Sequence, residues 1–366
     1  MAANTNAYLS EHDSQLRQKL IEKKSELPRF CASFFSSLDN TSKLDSTQLG
    51  YASDLDIFFD FIIDTFPEYA DTPKKSLPID CLTQLTKEDI EYYIGTYLKD
   101  MRDNNDKARA RKLASLRRLY KHFYANKKIE YNPADFLEIT FNTAKKDEDI
   151  NYLRPNEVAI LLDAIDKGEG LPEKYVRSKW YQRNRLRDLA IVTLLLGTGM
   201  RISECVGLDL DAIDFENGSI YIIRKGHKGA NIPMGDEVEQ ALRTYIKGDP
   251  ERPESMSRAG YEPDEKDKNA LFLSPSHKRL TVRAIENLIP KYVQYALPQL
   301  ASRASFSPHK MRASFGTNLY AEIGDVKAVA DLLGHKSTQT TETFYISRSR
   351  DERRRAAIAG YRMRED

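Results

Sequence analysis

Apolar residues recur at spacings of three and four along most of this chain, and at a spacing of two in one place only. Tyr51, Leu55, Phe58, Phe59, Ile62 and Ile63 form one such series, the pattern of a core-facing helix. Asp54, Asp56 and Asp60 fall between them and are expected on the solvent side. Beyond a Pro-containing loop at 72–78, a further helix is expected to start near Thr86, with Glu88 and Asp89 in its first turn, where the helix dipole favours acids. Pro155 and Glu157 precede the set Val158, Leu161, Leu162 and Ile165, which marks another helix start. Residues 187–196 are apolar on most faces and should be buried. The alternating stretch is 219–234: SIYIIR, then KGHKG, then ANIPM, a hairpin with Gly226 and Gly229 bracketing its turn. Residues 248–268 read as a charged surface loop, and LFLS at 271–274 as a short strand.

The pattern therefore predicts a mostly α fold with a small antiparallel β-sheet. At 366 residues the chain is long enough for two domains, each with its own core. Residues 142–151 are polar and aperiodic, and read as the linker between a helical domain at 26–141 and a second domain at 152–349. Residues 1–25 read as a charged helical extension, and 350–366 as a terminal helix whose small apolar patch, Ala356 to Ala359, suits docking on a neighbouring subunit.

Composition narrows the function classes. With 40% hydrophobic and 30% charged residues, no long apolar run and no apolar segment near the start, neither membrane insertion nor export is expected. The three widely spaced cysteines, Cys31, Cys81 and Cys205, indicate neither a disulfide framework nor a zinc site, which suits a reducing cytoplasm. A net charge of +1 by itself argues against a nucleic-acid partner, but the charge is unevenly placed. From Lys107 to Lys128 there are nine Lys or Arg and no Asp or Glu. On a helix Leu113, Leu116, Tyr120 and Phe123 form one apolar stripe, with Lys107, Arg111 and Arg118 opposite and Lys121 beside them. Such a face suits a phosphate backbone. The plain alternative is a basic helix that is merely solvated.

The chemistry concentrates in 307–345. His309 and Arg312 follow Pro308 three residues apart, so both side chains lie on one helix face. His335 and Tyr345 follow within the same segment. Upstream, Arg201 stands directly after Gly197-Thr198-Gly199 and Met200, where glycines permit a tight turn, and Lys225 stands where the first hairpin strand ends. Any one of these residues has an ordinary structural explanation. Together, two Arg, two His, a Lys and a Tyr suit attack by a phenol on phosphorus, with donors around the phosphoryl oxygens.

In order and spacing this set resembles the tyrosine recombinase (phage integrase) family. GTGMRISECVGLDLDAIDFENGSIYIIRKGHKG resembles the segment that carries the family's first Arg, its acidic companion (here Glu204) and the Lys hairpin. PHKMRASFGTNL resembles the HxxR box, and LLGHKSTQTTETFY the LGH box with its nucleophile. The likeness covers about 150–350, and 26–141 resembles the family's helical core-binding domain more weakly. Two features depart from the common pattern: Ala313 follows Arg312 where many relatives have His, and Tyr345 lies ten residues beyond His335, where nine is also common.

The resemblance implies a two-domain DNA clamp and a site-specific recombinase of Xer-like character. Its catalytic residues would be Arg201, Lys225, His309, Arg312, His335 and the nucleophile Tyr345, with Glu204 in support. It implies strand exchange through a 3′-phosphotyrosyl intermediate and a Holliday junction, with neither metal nor other cofactor. The partners would be double-stranded DNA with inverted-repeat core sites and three further copies in a homotetramer. A DNA translocase or accessory directionality factor stays open as an additional partner. Chromosome or plasmid dimer resolution of Xer type is the leading role, integration or excision of a phage or conjugative element is the alternative, and type IB topoisomerase activity or a DNA-binding protein with a decayed catalytic set is less favoured.

Overall fold

The computed structural model describes residues 7–135, 137, 139–141, 152–224, 228–301 and 306–334. The chain divides into two compact units, Met1–Lys146 and Asp147–Asp366. The fold is mostly helical, with one small antiparallel sheet. Among the described residues no helix is long and apolar enough to cross a membrane.

The first unit contains α1 (Ala7–Glu26), α2 (Cys31–Asn40), α3 (Asp45–Thr65), α4 (Asp80–Thr83), α5 (Lys87–Tyr92), a π-helical continuation (Tyr93–Met101) and α6 (Asp106–Ala125). Thr86 caps α5 as its sequence suggests: its hydroxyl accepts from the Asp89 amide, and the Asp89 carboxylate accepts from the Thr86 amide. The core is rich in aromatics, with Phe34, Phe58, Phe59, Phe61, Tyr93, Tyr120 and Phe123 all fully buried. The expected exposure of the α3 aspartates fails at Asp54, which is buried. Its Oδ2 accepts from Arg111 Nη1 at 2.6 Å and from the Ser115 hydroxyl at 2.7 Å, so α3 and α6 are joined through a charge that the apolar series conceals.

Asp56 is also engaged. Its side chain is 16% exposed and receives Lys23 Nζ of α1 and Lys74 Nζ, each at 2.6 Å. Together with buried Leu20, this contact packs α1 onto α3. Burial pushes the Asp56 carboxyl upward, but the two ammonium groups outweigh it and hold its pKa below the ordinary value. A carboxyl lowered in the folded state stabilises it above its unfolded pKa, and that contribution disappears as pH falls through the folded value. Asp56→Asn is therefore expected to cost about 1–2 kcal/mol near neutrality and to loosen α1. Amide exchange across α1 would record it, and the gap from the parent should close in strong acid.

The second unit contains α7 (Pro155–Lys167), α8 (Glu173–Val176), α9 (Lys179–Thr198), α10 (Ile202–Val206), β1 (Ile213–Asp214), β2 (Ser219–Arg224), β3 (Lys228–Pro233), α11 (Asp236–Lys247), α12 (Val282–Ala296), α13 (Pro298–Ala301), α14 (Pro308–Ile323) and α15 (Val326–Leu333). Helix α9 runs through the centre, buried along most of its length, with α7, α11 and α14 against it. The strands lie in the order β1-β2-β3, and β2 pairs with β3 from Ser219↔Pro233 to Arg224↔Lys228. Their alternation buries Ile220, Ile222 and Ile232 and exposes Tyr221 and Asn231.

Two expectations change in this unit. The charged 248–268 stretch is not wholly superficial, because Ser255, Arg258 and Tyr261 are buried. Arg258 Nε donates to the Ala270 carbonyl at 2.7 Å. The LFLS segment buries Leu271, Phe272 and Leu273 but forms one isolated bridge, Leu273↔Arg279, with another just before it at Asp209↔Ala270, rather than a strand.

Candidate active site

The carboxyl end of α9 is the foundation of the site. The two glycines of its GTG turn have different tasks. Gly199 caps the helix in the left-handed conformation at φ 61°, and a Cβ there would stand 2.3 Å from Phe315 Cδ1 and 2.8 Å from Leu333 Cδ2. Gly197 is helical, and a Cβ there would stand 2.4 Å from Val238 Cγ2 of α11. One glycine makes the turn and brings α14 and α15 close to it; the other admits a neighbouring helix.

Arg201 leads into α10 directly after this turn. Its amide donates to Glu204 Oε2 at 2.7 Å and its Nη1 to Glu204 Oε1 at 2.8 Å. The Glu204 side chain is 4% exposed and that of Arg201 33%, so a buried carboxylate holds an accessible guanidinium in place. Glu204 is thus occupied in orienting Arg201.

Helix α14 begins at Pro308 after Ser307. His309 is exposed in its first turn and Arg312 is half-buried in the next. Arg312 Nη1 donates to the Gly199 carbonyl at 2.6 Å, and Nη2 donates to the Leu333 carbonyl. These oxygens stand at the carboxyl ends of α9 and α15, where backbone acceptors lack helical partners and the dipole favours a cation. Arg312 therefore bridges two helix ends, one of which leads within two residues to Arg201.

The other end, α15, also receives β2. Arg224 Nη2 donates to the Leu332 carbonyl at 2.8 Å. Gly334 caps α15 at φ 64°, with no room for a Cβ, which would lie 1.9 Å from Arg224 Nη1. Lys225, His335 and Tyr345 lie outside the described residues, as does the terminal segment 350–366. The residues immediately before Lys225 and His335 are nonetheless in contact. Among the described residues, Arg201, Arg312 and the chain positions leading to Lys225 and His335 are linked around Gly199 and the end of α15.

A family model described as the phage integrase family matches residues 151–352, more than half of the chain. The chain belongs to the phage integrase family. It is a tyrosine recombinase, an enzyme of DNA strand breakage and rejoining. It is 30% identical over 320 residues to tyrosine recombinase XerC of Caldanaerobacter subterraneus subsp. tengcongensis, covering 85% of this chain and 80% of that protein. It is 28% identical over 355 residues to tyrosine recombinase XerS of Streptococcus uberis, covering 90% and 94%. Among solved structures, the XerH site-specific recombinase bound to a palindromic difH substrate superposes with a TM-score of 0.61 at 20% identity, covering 96% and 95%. The Tn1549 transposon integrase (Y379F) in complex with transposon right end DNA gives 0.61 at 23% identity, covering 89% and 99%.

In this recombinase the basic helix α6 has a divided surface. Lys107 and Lys121 are exposed and Arg118 is partly so. The Arg111 side chain is 55% exposed, although Nη1 is committed to buried Asp54. Three further cations serve the fold. Arg109 Nη1 donates to the Ile94 carbonyl at 3.2 Å, Lys112 Nζ to Asn104 Oδ1 at 2.7 Å, and Arg117 to the carbonyls of Ala134 and Leu137. Burial lowers the pKa of Lys112 below its ordinary value.

Sequence reasoning missed Arg224. An Arg beside a hairpin turn reads as solvated, and no periodicity connects it to a glycine more than a hundred residues later.

Proposed function

We propose that this recombinase exchanges strands at a specific DNA site, with Tyr345 as nucleophile and Arg201, Lys225, His309, Arg312 and His335 as the other catalytic groups. An unperturbed phenol is ionised to only about one part in a thousand at neutral pH, so Tyr345 requires a base and nearby positive charge. His309 accepts its proton as the phenolic oxygen attacks phosphorus. The bond to the 5′-oxygen breaks, and Lys225 supplies the proton that this oxygen needs to leave. Arg201 and Arg312 bind the non-bridging oxygens, each contributing about 3 kcal/mol in the transition state, and His335 donates to the same group. The phosphotyrosyl bond conserves the energy of the broken linkage, so rejoining to a partner strand consumes neither ATP nor metal.

The observation that carries this reading is the bridge made by Arg312 between Gly199, two residues before Arg201, and Leu333, two residues before His335. Exposed cations on α6 supply phosphate contacts, with Lys107, Arg111, Arg118 and Lys121 as the candidates. Exchange between two duplexes takes four active sites, and therefore a homotetramer on inverted-repeat core sites, passing through a Holliday junction. The terminal segment 350–366 would link protomers within it. The biological role we assign is Xer-type resolution of chromosome or plasmid dimers in the cytoplasm, supported by 30% identity to a XerC and by matching 94% of the length of a XerS.

Mapping binding across the host chromosome gives the site: a single peak near the replication terminus is expected, and peaks at the ends of a mobile element would replace dimer resolution with integration. A nicked suicide duplex built on that site should leave a nucleotide adduct on Tyr345 in peptide mass spectra. No adduct, or one on Tyr320 or Tyr361, would refute the assigned nucleophile.

A further inference from the structure

We propose that Arg224 is a positioning residue of the cleavage step. Its guanidinium fastens the end of β2 to the end of α15, the two elements that lead in the chain to Lys225 and His335. This inference rests on the roles given above to Lys225 and His335.

The β2–β3 ribbon is paired through Arg224↔Lys228, and β3 is a sheet edge. Lysine carries its charge on a flexible four-carbon stem, so where that charge arrives depends on how firmly the chain leading to it is held. A general acid has to stand within hydrogen-bond reach of the leaving oxygen, and an error near 1 Å costs on the order of 10²-fold in rate. Restraint of the ribbon end is therefore a catalytic requirement.

Arg224 meets it through three features. Its side chain is partly buried, so the stem is confined. Its Nη2 donates to the Leu332 carbonyl at 2.8 Å, among the carbonyls that the last turn of a helix leaves without helical partners. Its Nη1 lies where a Cβ of residue 334 would be, 1.9 Å from that ideal position. Gly334 thus has two reasons to be glycine: a φ of 64° and the space taken by the guanidinium. The adjacent Leu333 carbonyl is taken by Arg312, so consecutive carbonyls bind two arginines from distant parts of the chain. Both cations also suit the negative end of the α15 dipole.

The test compares two nicked suicide duplexes built on the mapped site. One is unmodified; the other has sulfur in place of the bridging 5′-oxygen at the scissile phosphate. A thiol is far more acidic than an alcohol, so a sulfur leaving group departs as thiolate without a proton from the acid. Arg224→Ala is expected to slow single-turnover cleavage of the oxygen duplex by about 10- to 100-fold, with DNA affinity unchanged. Most of that loss should vanish on the sulfur duplex, and Arg224→Lys, which keeps one donor for Leu332, should recover part of the rate. Equal losses on both duplexes, or no loss on either, would overturn the proposal. Lys225→Ala, measured alongside, tests the underlying reading separately: if sulfur does not rescue it, Lys225 is not the acid, whatever Arg224 does.

Discussion

Arg312→Ala is expected to slow single-turnover DNA cleavage by about 10³-fold or more, a greater loss than one transition-state donor accounts for. Removing a donor from the phosphoryl group costs about 10²- to 10³-fold. Arg312 also ties the Gly199 carbonyl to the Leu333 carbonyl, so the same change releases the end of α15 from the turn that places Arg201. Arg312→Lys should restore little. A lysine keeps the charge but has all its donors on one nitrogen, whereas the guanidinium spans two carbonyls on different helices. The rate constant for adduct formation on a suicide duplex measures the effect, with urea unfolding as the control for stability. Cleavage by Arg312→Lys within tenfold of the parent would show that charge alone suffices and that the bridge is incidental.

Much of this arrangement was legible in residue types and spacing. The hairpin at Ser219–Arg224 and Lys228–Pro233, the capped start of α5 and the buried α9 follow from period and capping chemistry, which are local properties. The segments that resemble the family's motifs stood out for the same reason, because an HxxR pair on one helix face and a tyrosine after an LGH segment are local patterns, although Lys225, His335 and Tyr345 lie outside the described residues. What stayed hidden depends on long-range partners. Asp54 lies in an apolar series and reads as solvent-facing, yet it is buried because Arg111 and Ser115, more than fifty residues away, supply its donors. Arg258 is masked in the same way by the charged stretch around it, and its acceptors are carbonyls at 268 and 270. Gly197 and Gly199 look equivalent in GTG, and only their neighbours, Val238 for one and Phe315 with Leu333 for the other, separate helix packing from turn formation. The contact between Arg224 and Gly334 likewise joins positions more than a hundred residues apart.

The largest effect on stability is expected at Arg187→Leu, which should cost the second unit about 3–5 kcal/mol. Arg187 and Asp188 are adjacent on α9 and both buried. Arg187 donates to Asp188 Oδ1 through Nε at 3.0 Å and Nη2 at 2.8 Å, and through Nη1 to the Leu273 carbonyl at 3.0 Å. The Tyr292 hydroxyl of α12 donates to Asp188 Oδ2 at 3.0 Å, so the pair joins α9 to α12 and to the segment that carries Leu273. Burial raises the pKa of Asp188 above the ordinary carboxyl value, although the Arg187 charge and the hydrogen bonds from Arg187 and Tyr292 pull it down. Without Arg187 it rises further. A carboxyl whose folded pKa exceeds its unfolded value takes up a proton on folding, so stability is greatest below the unfolded value, about 3.9, and declines as pH rises towards the folded one. The deficit of Arg187→Leu should accordingly be larger at pH 7 than at pH 4, and adding Asp188→Leu should recover part of it by removing the stranded charge. Urea unfolding at both pH values distinguishes this from simple loss of packing: a cavity or a missing contact gives the same deficit at each, and an abandoned carboxylate does not.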